Sequence, residues 1–247
     1  MAGSADRPAV SVGGLDADDD AAVADFYQHI LLPHFRADEL VRCESFAAGL
    51  KSGDSRALVA RTANGVIAGG AVGDRFPRSK VVLLSYIAVP LEGRGLGVGS
   101  ALMKAATAMW ETAWRPPLMV MEVEDPRHFA ADEALGDPYA RVRFYERLGA
   151  RILPVPYFQP ALGGGRGRVR YLMLMVFGGT EVPPGTRQVD GRLAESFLIE
   201  YLEDCEGQVR SDDEETQRLL AACRRPGGLP LLLSAELTDE TLSGELS

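Results

Sequence analysis

Residues 89–106 read "VPLEGRGLGVGSALMKAA", with four glycines and one arginine between the end of an apolar run and the start of a helical pattern. The run before it, "SKVVLLSYIAV" at 79–89, reads as a long buried strand. A strand that breaks into glycines and then a helix leaves unpaired backbone N–H groups pointing one way, so an anionic group is its natural guest. A P-loop needs Lys-Ser/Thr after its last glycine, but Gly99 is followed by Ser100 and Ala101. A dinucleotide fingerprint matches Gly95 and Gly97, with Ser100 in the third glycine's place and Glu122 at the end of the next strand. That motif opens a doubly wound sheet, whereas here helices and a hairpin come first. A turn that binds nothing stays as an alternative, since glycine connections need no ligand, but a further reading accounts for more of the residues.

At 247 residues the chain is long enough for one full core plus an extension, or for two small domains. A composition 46% apolar and 25% charged argues against wholesale disorder. No stretch approaches the ~20 uninterrupted apolar residues of a membrane span, and no membrane partner is expected. "MAGSADRPAVSVGG" lacks a basic region followed by an apolar one, so no secretory signal is expected. Cys43, Cys205 and Cys223 have no metal-type spacing and read as reduced thiols, and a cytoplasmic location follows by default. The formal charge of −9 is uneven: from Gly178 onward 15 acids face 6 Lys/Arg, while the first 177 residues hold 20 of each sign. Without a basic face no nucleic-acid partner is expected, and the acidic tail reads as a solvated helix surface.

Residues 1–20 look frayed apart from "AVSV", a candidate short first strand. "DDAAVADFYQHILLPHF" spaces Val23, Phe26, Tyr27, Ile30 and Leu31 as one helical face, with Asp19 or Asp20 as cap. "RADELVRCESFAAGLKSG" predicts a second helix over 36–53, ending at Gly53. "RALVARTA", the turn signal Asn64-Gly65 and "VIAGGAVGDRF" predict a hairpin. After the quoted turn a helix to Trp114 presents Leu102, Ala106, Met109 and Ala113 on one side. A strand "PPLMVMEVED", a helix from about Pro138 to Leu148, a strand near "ARILP" and the strand "RVRYLMLMVF" complete the body. Helices, a meander, then strand–helix–strand–helix–strand–strand make an α+β fold with a mixed, mostly antiparallel sheet flanked by helices. The domain is expected over 8–178, and residues 179–247 form an acidic C-terminal helical extension packed on it, with helices at 190–207 and 212–225.

Arg94-Gly95-Leu96-Gly97-Val98-Gly99 is an Arg-x-x-Gly-x-Gly turn five residues after a strand-ending Val89, and "VRFYERLGA" follows at 142–150. Loop, order and distance resemble the GCN5-related N-acetyltransferase (GNAT) superfamily over about residues 8–177. The loop resembles that family's acyl-CoA pyrophosphate turn, and "FYERLG" resembles its "YEKLG" helix end. The resemblance implies a GNAT fold and acetyl-CoA (coenzyme A) bound by Arg94, Gly95, Leu96, Gly97, Val98, Gly99 and Ser100. Glycines at 95, 97 and 99 permit close approach and unusual φ values, and the amides of 95–100 sit at the positive end of the helix dipole. It further implies a pantetheine arm along Tyr86 to Val89, that is along Ile87, Ala88 and Val89, with the thioester near Tyr145.

Acetyl transfer to an amine needs a group to take the amine's proton, a donor for the oxyanion and a proton for the leaving thiolate. Glu122 and Glu124 share a face with Leu118 and Val120 by the period of a strand, and Glu122 matches the glutamate some family members use as base. Acids at a strand end are otherwise solvated or paired, and Arg141 and Arg143 stand near enough in sequence to pair with them. Tyr145 matches the family tyrosine that protonates the thiolate; packing is its plain alternative. Ala150 stands where the family has an aromatic residue, which alters packing beside the thiol. The oxyanion donor is expected to be a backbone N–H near Val89.

For the acceptor amine, "EDPRHFAADEALGDPY" offers His128, Phe129, Asp132 and Glu133, and "PYFQPALGGGRGRVR" offers Tyr157, Phe158 and Gln159, with Glu124 beside them. Arg166, Arg168 and Arg170 alternate in what reads as a solvated hairpin, and His29 and His34 read as packing residues. No cluster has metal spacing and no Gly-x-Ser-x-Gly elbow exists, so no metal is expected and serine-hydrolase chemistry falls away. The expected function is N-acetyl transfer from acetyl-CoA to a primary amine of a small, amino-acid-like molecule, by direct attack in a ternary complex. A catalytically silent acyl-CoA-binding regulatory or interaction module is the alternative. The tail would shape the acceptor site or a homodimer contact.

Overall fold

A computed structural model describes residues 10–37, 39–131, 136–163 and 165–238. The chain forms two compact units, Met1–Asp74 with Ser85–Trp110, and Arg75–Leu84 with Glu111–Ser247.

The first unit opens with strand β1 (Val10–Gly14), paired antiparallel to β2 (Ser55–Thr62), which pairs antiparallel to β3 (Ile67–Arg75). The expectation of a frayed start falls partly on residues 1–9, outside the described residues; from Val10 the chain forms β1 and then a capping turn. Helix α1 (Asp20–Phe26) starts where the Asp19 carboxylate accepts the Ala22 N–H, and passes into a π-helical turn, Tyr27–Leu31. Its Phe26, Ile30 and Leu31 are buried with Phe46 and Leu50 of α2 (Cys43–Ser52) against Ala57, Val59 and Val72. α2 ends at Gly53 as expected, in a left-handed cap at φ 82. It begins at Cys43, not at Arg36, because side-chain hydroxyls take the backbone groups a helix would use. Tyr27 Oη donates to the Val41 carbonyl at 2.7 Å, the Val41 N–H donates to Tyr86 Oη at 3.1 Å, and Tyr86 Oη donates to the Glu39 carbonyl at 3.1 Å. The predicted hairpin turn is present, with Gly65 at φ 81.

Strand β4 (Val82–Ala88) neighbours β3, a 3-10 turn spans Leu91–Gly93, and helix α3 covers Val98–Trp114. The buried face of α3 is Val98, Leu102, Met103, Ala106 and Trp110. Ala113, expected inside, is exposed. The Trp110 ring claims the space because β3 has a glycine beneath it: a Cβ on Gly73 would lie 2.5 Å from that ring.

In the second unit the start of β4 pairs parallel to β5 (Met119–Glu124), β5 pairs antiparallel to β7 (Leu172–Gly178), and β7 pairs antiparallel to β6 (Arg151–Ile152). The strand order β1-β2-β3-β4-β5-β7-β6 is that of a mixed, mostly antiparallel seven-stranded sheet. Helix α4 (Pro138–Arg147) is capped by Asp137. A two-stranded ribbon, β8 (Gln188–Val189) with β9 (Leu229–Pro230), brackets α5 (Gly191–Glu206) and α6 (Glu214–Cys223). Phe197, Leu198, Tyr201 and Leu202 of α5 share one buried cluster with Leu118 and Val120 of β5 and Leu174 and Val176 of β7. The face of β5 that carries Glu122 therefore points toward the helices added after the body.

Candidate active site

The glycine turn lies in the first unit. Beyond Ala88 the chain leaves the sheet, and Gly93 is packed so that a Cβ would stand 3.0 Å from Val89 Cγ1 and 3.1 Å from the Ala68 carbonyl. Arg94 is extended, and its Nε donates to the Val89 carbonyl at 3.3 Å, which folds the guanidinium back over the turn. Gly95 and Gly97 are left-handed, at φ 77 and 85, and a Cβ on either would meet nothing within 4 Å. The glycines are thus required by backbone conformation, and the space beside them is open. Gly99, expected to share that freedom, is instead an ordinary helical residue. The Ala101 N–H bonds the Gly97 carbonyl at 3.0 Å, so the amides of Val98, Gly99 and Ser100 stand ahead of it in the first turn. Residues 94–97 and Ser100 are exposed, and among the described residues nothing comes within 4 Å of a Cβ placed on Gly95 or Gly97. Ile87 and Val89 are half-buried, whereas Ala88 and Tyr86 are buried; the Tyr86 ring meets Phe35 edge-on at 4.9 Å.

The side chains that could move protons lie in the second unit. Leu118, Val120, Glu122 and Glu124 do share a face, and the two acids have different partners. Glu122 accepts a short hydrogen bond from Tyr157 Oη and one from Gln159 Nε2 at 2.9 Å. Burial, and then the Glu122 carboxylate, push the Tyr157 phenol well above its ordinary range, so it stays protonated as the donor. The same two causes push the Cys205 thiol of α5 up to about 12. Gln159 is 8% exposed, and its Oε1 is buried without a hydrogen bond among the described residues. Glu124 instead pairs with Arg141 Nη1 of α4 at 2.6 Å, while Arg143 reaches Asp137 at 3.6 Å.

Tyr145 sits one turn after Arg141 and is 7% exposed. Burial pushes its phenol up to about 12, against the opposing pull of the Arg141 charge. Its hydroxyl makes no hydrogen bond among the described residues. Helix α4 closes on it: the N–H groups of Leu148 and Ala150 both bond the Tyr145 carbonyl at 3.0 Å, with Gly149 left-handed at φ 97. Ala150 is fully buried in the position of the missing aromatic residue.

Of the acceptor-side candidates, His128 stacks on Tyr171 at 4.3 Å and Phe129 is half-buried. Asp132 and Glu133 lie outside the described residues. Tyr157 reaches Glu122, but Phe158 is a core residue rather than a pocket wall, with the Arg168 guanidinium 4.3 Å above its ring. The arginine stretch is not a solvated hairpin. Arg168 is bonded to Glu206, Asp213 and Glu215, and Arg170 to Glu215 at 2.9 Å. A signal for this lay in the sequence: three alternating arginines in a neutral body, followed by a strongly acidic tail. His29 contacts Asp25 on its own helix, and His34 the Ile30 carbonyl.

The chain matches the model of the acetyltransferase (GNAT) family over residues 22–150. Among curated proteins no sequence matches. Among solved structures it is similar to a GNAT-family protein from Bacteroides thetaiotaomicron, at 18% identity and a TM-score of 0.56, over 78% of this chain and 98% of that one. It is also similar to a protein from Acinetobacter baylyi described as an acetyltransferase, at 14% identity and a TM-score of 0.50, over 72% and 98% of the two chains. At these identities the structures speak to the fold, and the family match covers more than half of the sequence. The chain belongs to the GNAT acetyltransferase family.

Proposed function

We propose that the protein is an N-acetyltransferase that moves the acetyl group of acetyl-CoA to a primary amine of a small, amino-acid-like molecule by direct attack in a ternary complex. The observation that carries this reading is the open glycine turn, in which Gly95 and Gly97 are left-handed and a Cβ on either would meet nothing within 4 Å, just ahead of the first-turn amides of α3. Such a helix start fits a diphosphate. The backbone of Gly95 to Ser100 would hold that group, Arg94 would steady the turn, and Ile87, Ala88 and Val89 would offer a strand edge to the amides of the arm. Bound acetyl-CoA supplies an activated acyl group on sulfur.

Glu122 accepts a proton from the acceptor's ammonium at a carboxylate oxygen, directly or through water, which frees the nitrogen lone pair for attack on the thioester carbonyl. The buried Gln159 Oε1 beside it has no donor among the described residues, and an amine N–H or an ordered water would supply one. Glu124 is instead committed to its ion pair with Arg141. Tyr145, kept protonated by its burial, holds a proton on Oη for the departing sulfur.

The test is coenzyme A release from acetyl-CoA across a panel of amines, with binding followed by melting temperature. An enzyme loses turnover in Tyr145→Phe and Glu122→Gln while both still bind coenzyme A. Turnover absent from the wild type in the presence of clear binding favours the silent module. Absence of any melting shift at 100 times a presumed Kd, where ~2.7 kcal/mol is due, removes both.

A further inference from the structure

Residues 157–161 form a strap fastened on two sides. On one side Tyr157 Oη and Gln159 Nε2 donate to the two oxygens of Glu122. On the other, the Ala161 N–H donates to Glu206 Oε1 at 3.0 Å, and Arg168 lies over Phe158. Gln159 and Val169 exchange both backbone bonds, at 2.9 and 3.1 Å, which ties the strap to the arginine segment. Arg168 is 16% exposed and commits its whole fork to the C-terminal helices. Its Nε and Nη2 reach Glu206 at 2.8 and 2.6 Å, Nη2 also reaches Asp213 and Thr216, and Nη1 reaches Glu215 at 3.2 Å. A planar guanidinium can hold carboxylates from two helices in its edge while its face covers an aromatic ring; an ammonium cannot.

We propose that Arg168 is a positioning residue for acetyl transfer: seated in the acid cradle of α5 and α6, it holds residues 157–159 in place so that Tyr157 and Gln159 orient the Glu122 carboxylate. The inference rests on Glu122 being the proton acceptor. It makes the C-terminal helices part of the catalytic apparatus, although none of their own residues needs to touch substrate. A carboxylate torsion is soft, so two fixed donors, one on each oxygen, restrict Glu122 to fewer orientations. They also favour its ionised form. Among the described residues the titratable groups around Glu122 include Tyr157 of the strap and Cys205 of α5, with Tyr201 of α5 next to Tyr157. Glu124, its neighbour on β5, is neutralised by Arg141.

The test uses the full chain carrying Arg168→Lys, which keeps the charge and loses the fork. Carbon-13 NMR of the glutamate carboxyls reads Glu122 directly, its resonance assigned by its loss in Glu122→Gln. In Arg168→Lys, Glu122 titrates at higher pH than in the wild type, as it does in Tyr157→Phe, and the double variant moves it by less than the two shifts added. In coenzyme A release from acetyl-CoA with alanine amide as amine probe, kcat falls about tenfold, its acidic limb moves to higher pH, and KM for acetyl-CoA is unchanged. A folded Arg168→Lys chain with an unmoved Glu122 titration overturns the proposal. Full activity in Glu122→Gln would instead remove the base assignment, while the NMR result still decides whether Arg168 governs Glu122. Should Arg168→Lys fail to fold, Glu206→Gln, which loosens both Arg168 and the Ala161 N–H, carries the same readouts.

Discussion

Replacing Glu200 by alanine asks how firmly α5 holds the strand that runs into the glycine turn. Glu200 is 2% exposed, and its oxygens accept the N–H groups of Arg78 at 2.8 Å and Ser79 at 2.7 Å, in the turn before β4. Burial pushes its carboxyl up, but these two bonds, with the Arg78 charge, hold it below its ordinary range. The Arg78 side chain is 58% exposed, so the ion pair adds little. A hydrogen bond to a charged acceptor contributes about 1.5–3 kcal/mol. Because the turn is half open to water, the lower figure applies, for a loss of about 3 kcal/mol from both bonds. In a chain of this length each kcal/mol moves Tm by roughly 2–4 °C, so Glu200→Ala lowers Tm by roughly 6–12 °C. Glu200→Gln keeps one acceptor and loses about half of that. A carboxyl held below its unfolded value stabilises fully above the ordinary carboxylate range and loses that contribution as pH falls through the folded value. The gap between wild type and Glu200→Gln is therefore full at neutral pH and closes in acid. Thermal unfolding at both pH values measures it. A Glu200→Ala Tm within about 2 °C of wild type, or a gap that persists unchanged in acid, refutes the reasoning.

Gly97→Ala forces a residue with a Cβ to φ 85 in open space, so it costs about 1–2 kcal/mol of stability and weakens coenzyme A binding; calorimetric titration that finds unchanged affinity speaks against the turn as the diphosphate site. Tyr145→Phe lowers kcat at least tenfold with KM unchanged. Because burial keeps this phenol protonated up to about 12, wild-type kcat shows no tyrosine-derived decline below about pH 10, and a basic limb that vanishes in the variant at lower pH contradicts the assignment. Ending the chain at Gly178 strips Phe197, Leu198, Tyr201 and Leu202 from the cluster around Leu118, Val120, Leu174 and Val176; the truncated protein aggregates or fails to melt cooperatively, and a soluble, cooperatively melting 1–178 fragment shows the body complete without its extension.

Local chemistry was legible in the sequence wherever it decided local structure. Asn64-Gly65 marked the hairpin, the helix expected from about Pro138 is α4, and alternation along β5 placed Glu122 and Glu124 on one face. The spacing of glycines 95, 97 and 99 announced unusual φ values, and the first two are left-handed while Gly99 is helical. What was not legible depended on distant partners. The start of α2 is set by the hydroxyls of Tyr27 and Tyr86, which take the backbone of residues 39–41. The inner face of α3 is set by the glycine opposite Trp110. The roles of the two glutamates separate only when Tyr157 and Gln159, at separations of 35 and 37 residues, meet one of them and Arg141 meets the other.

The charge distribution makes the same point more sharply. An excess of acids after residue 177 reads as a solvated surface, and several of these acids do face water, Glu214 and Asp212 among them. Others do not. Glu200 is sealed over a backbone turn, and Glu206 and Asp213 close on Arg168, which draws Asp213 down to about 2. An acid bound to an arginine from the body is worth more than one left in solvent, because the partly buried guanidinium would otherwise sit without counter-charge. Arg168 alone in the body would be an uncompensated cation beneath a loop; the tail alone would repel itself. Arg168 and the acids that hold it lie in different stretches of sequence because one segment folds onto the other, and the residues that join them lead through Phe158 to the carboxylate proposed to take the amine's proton.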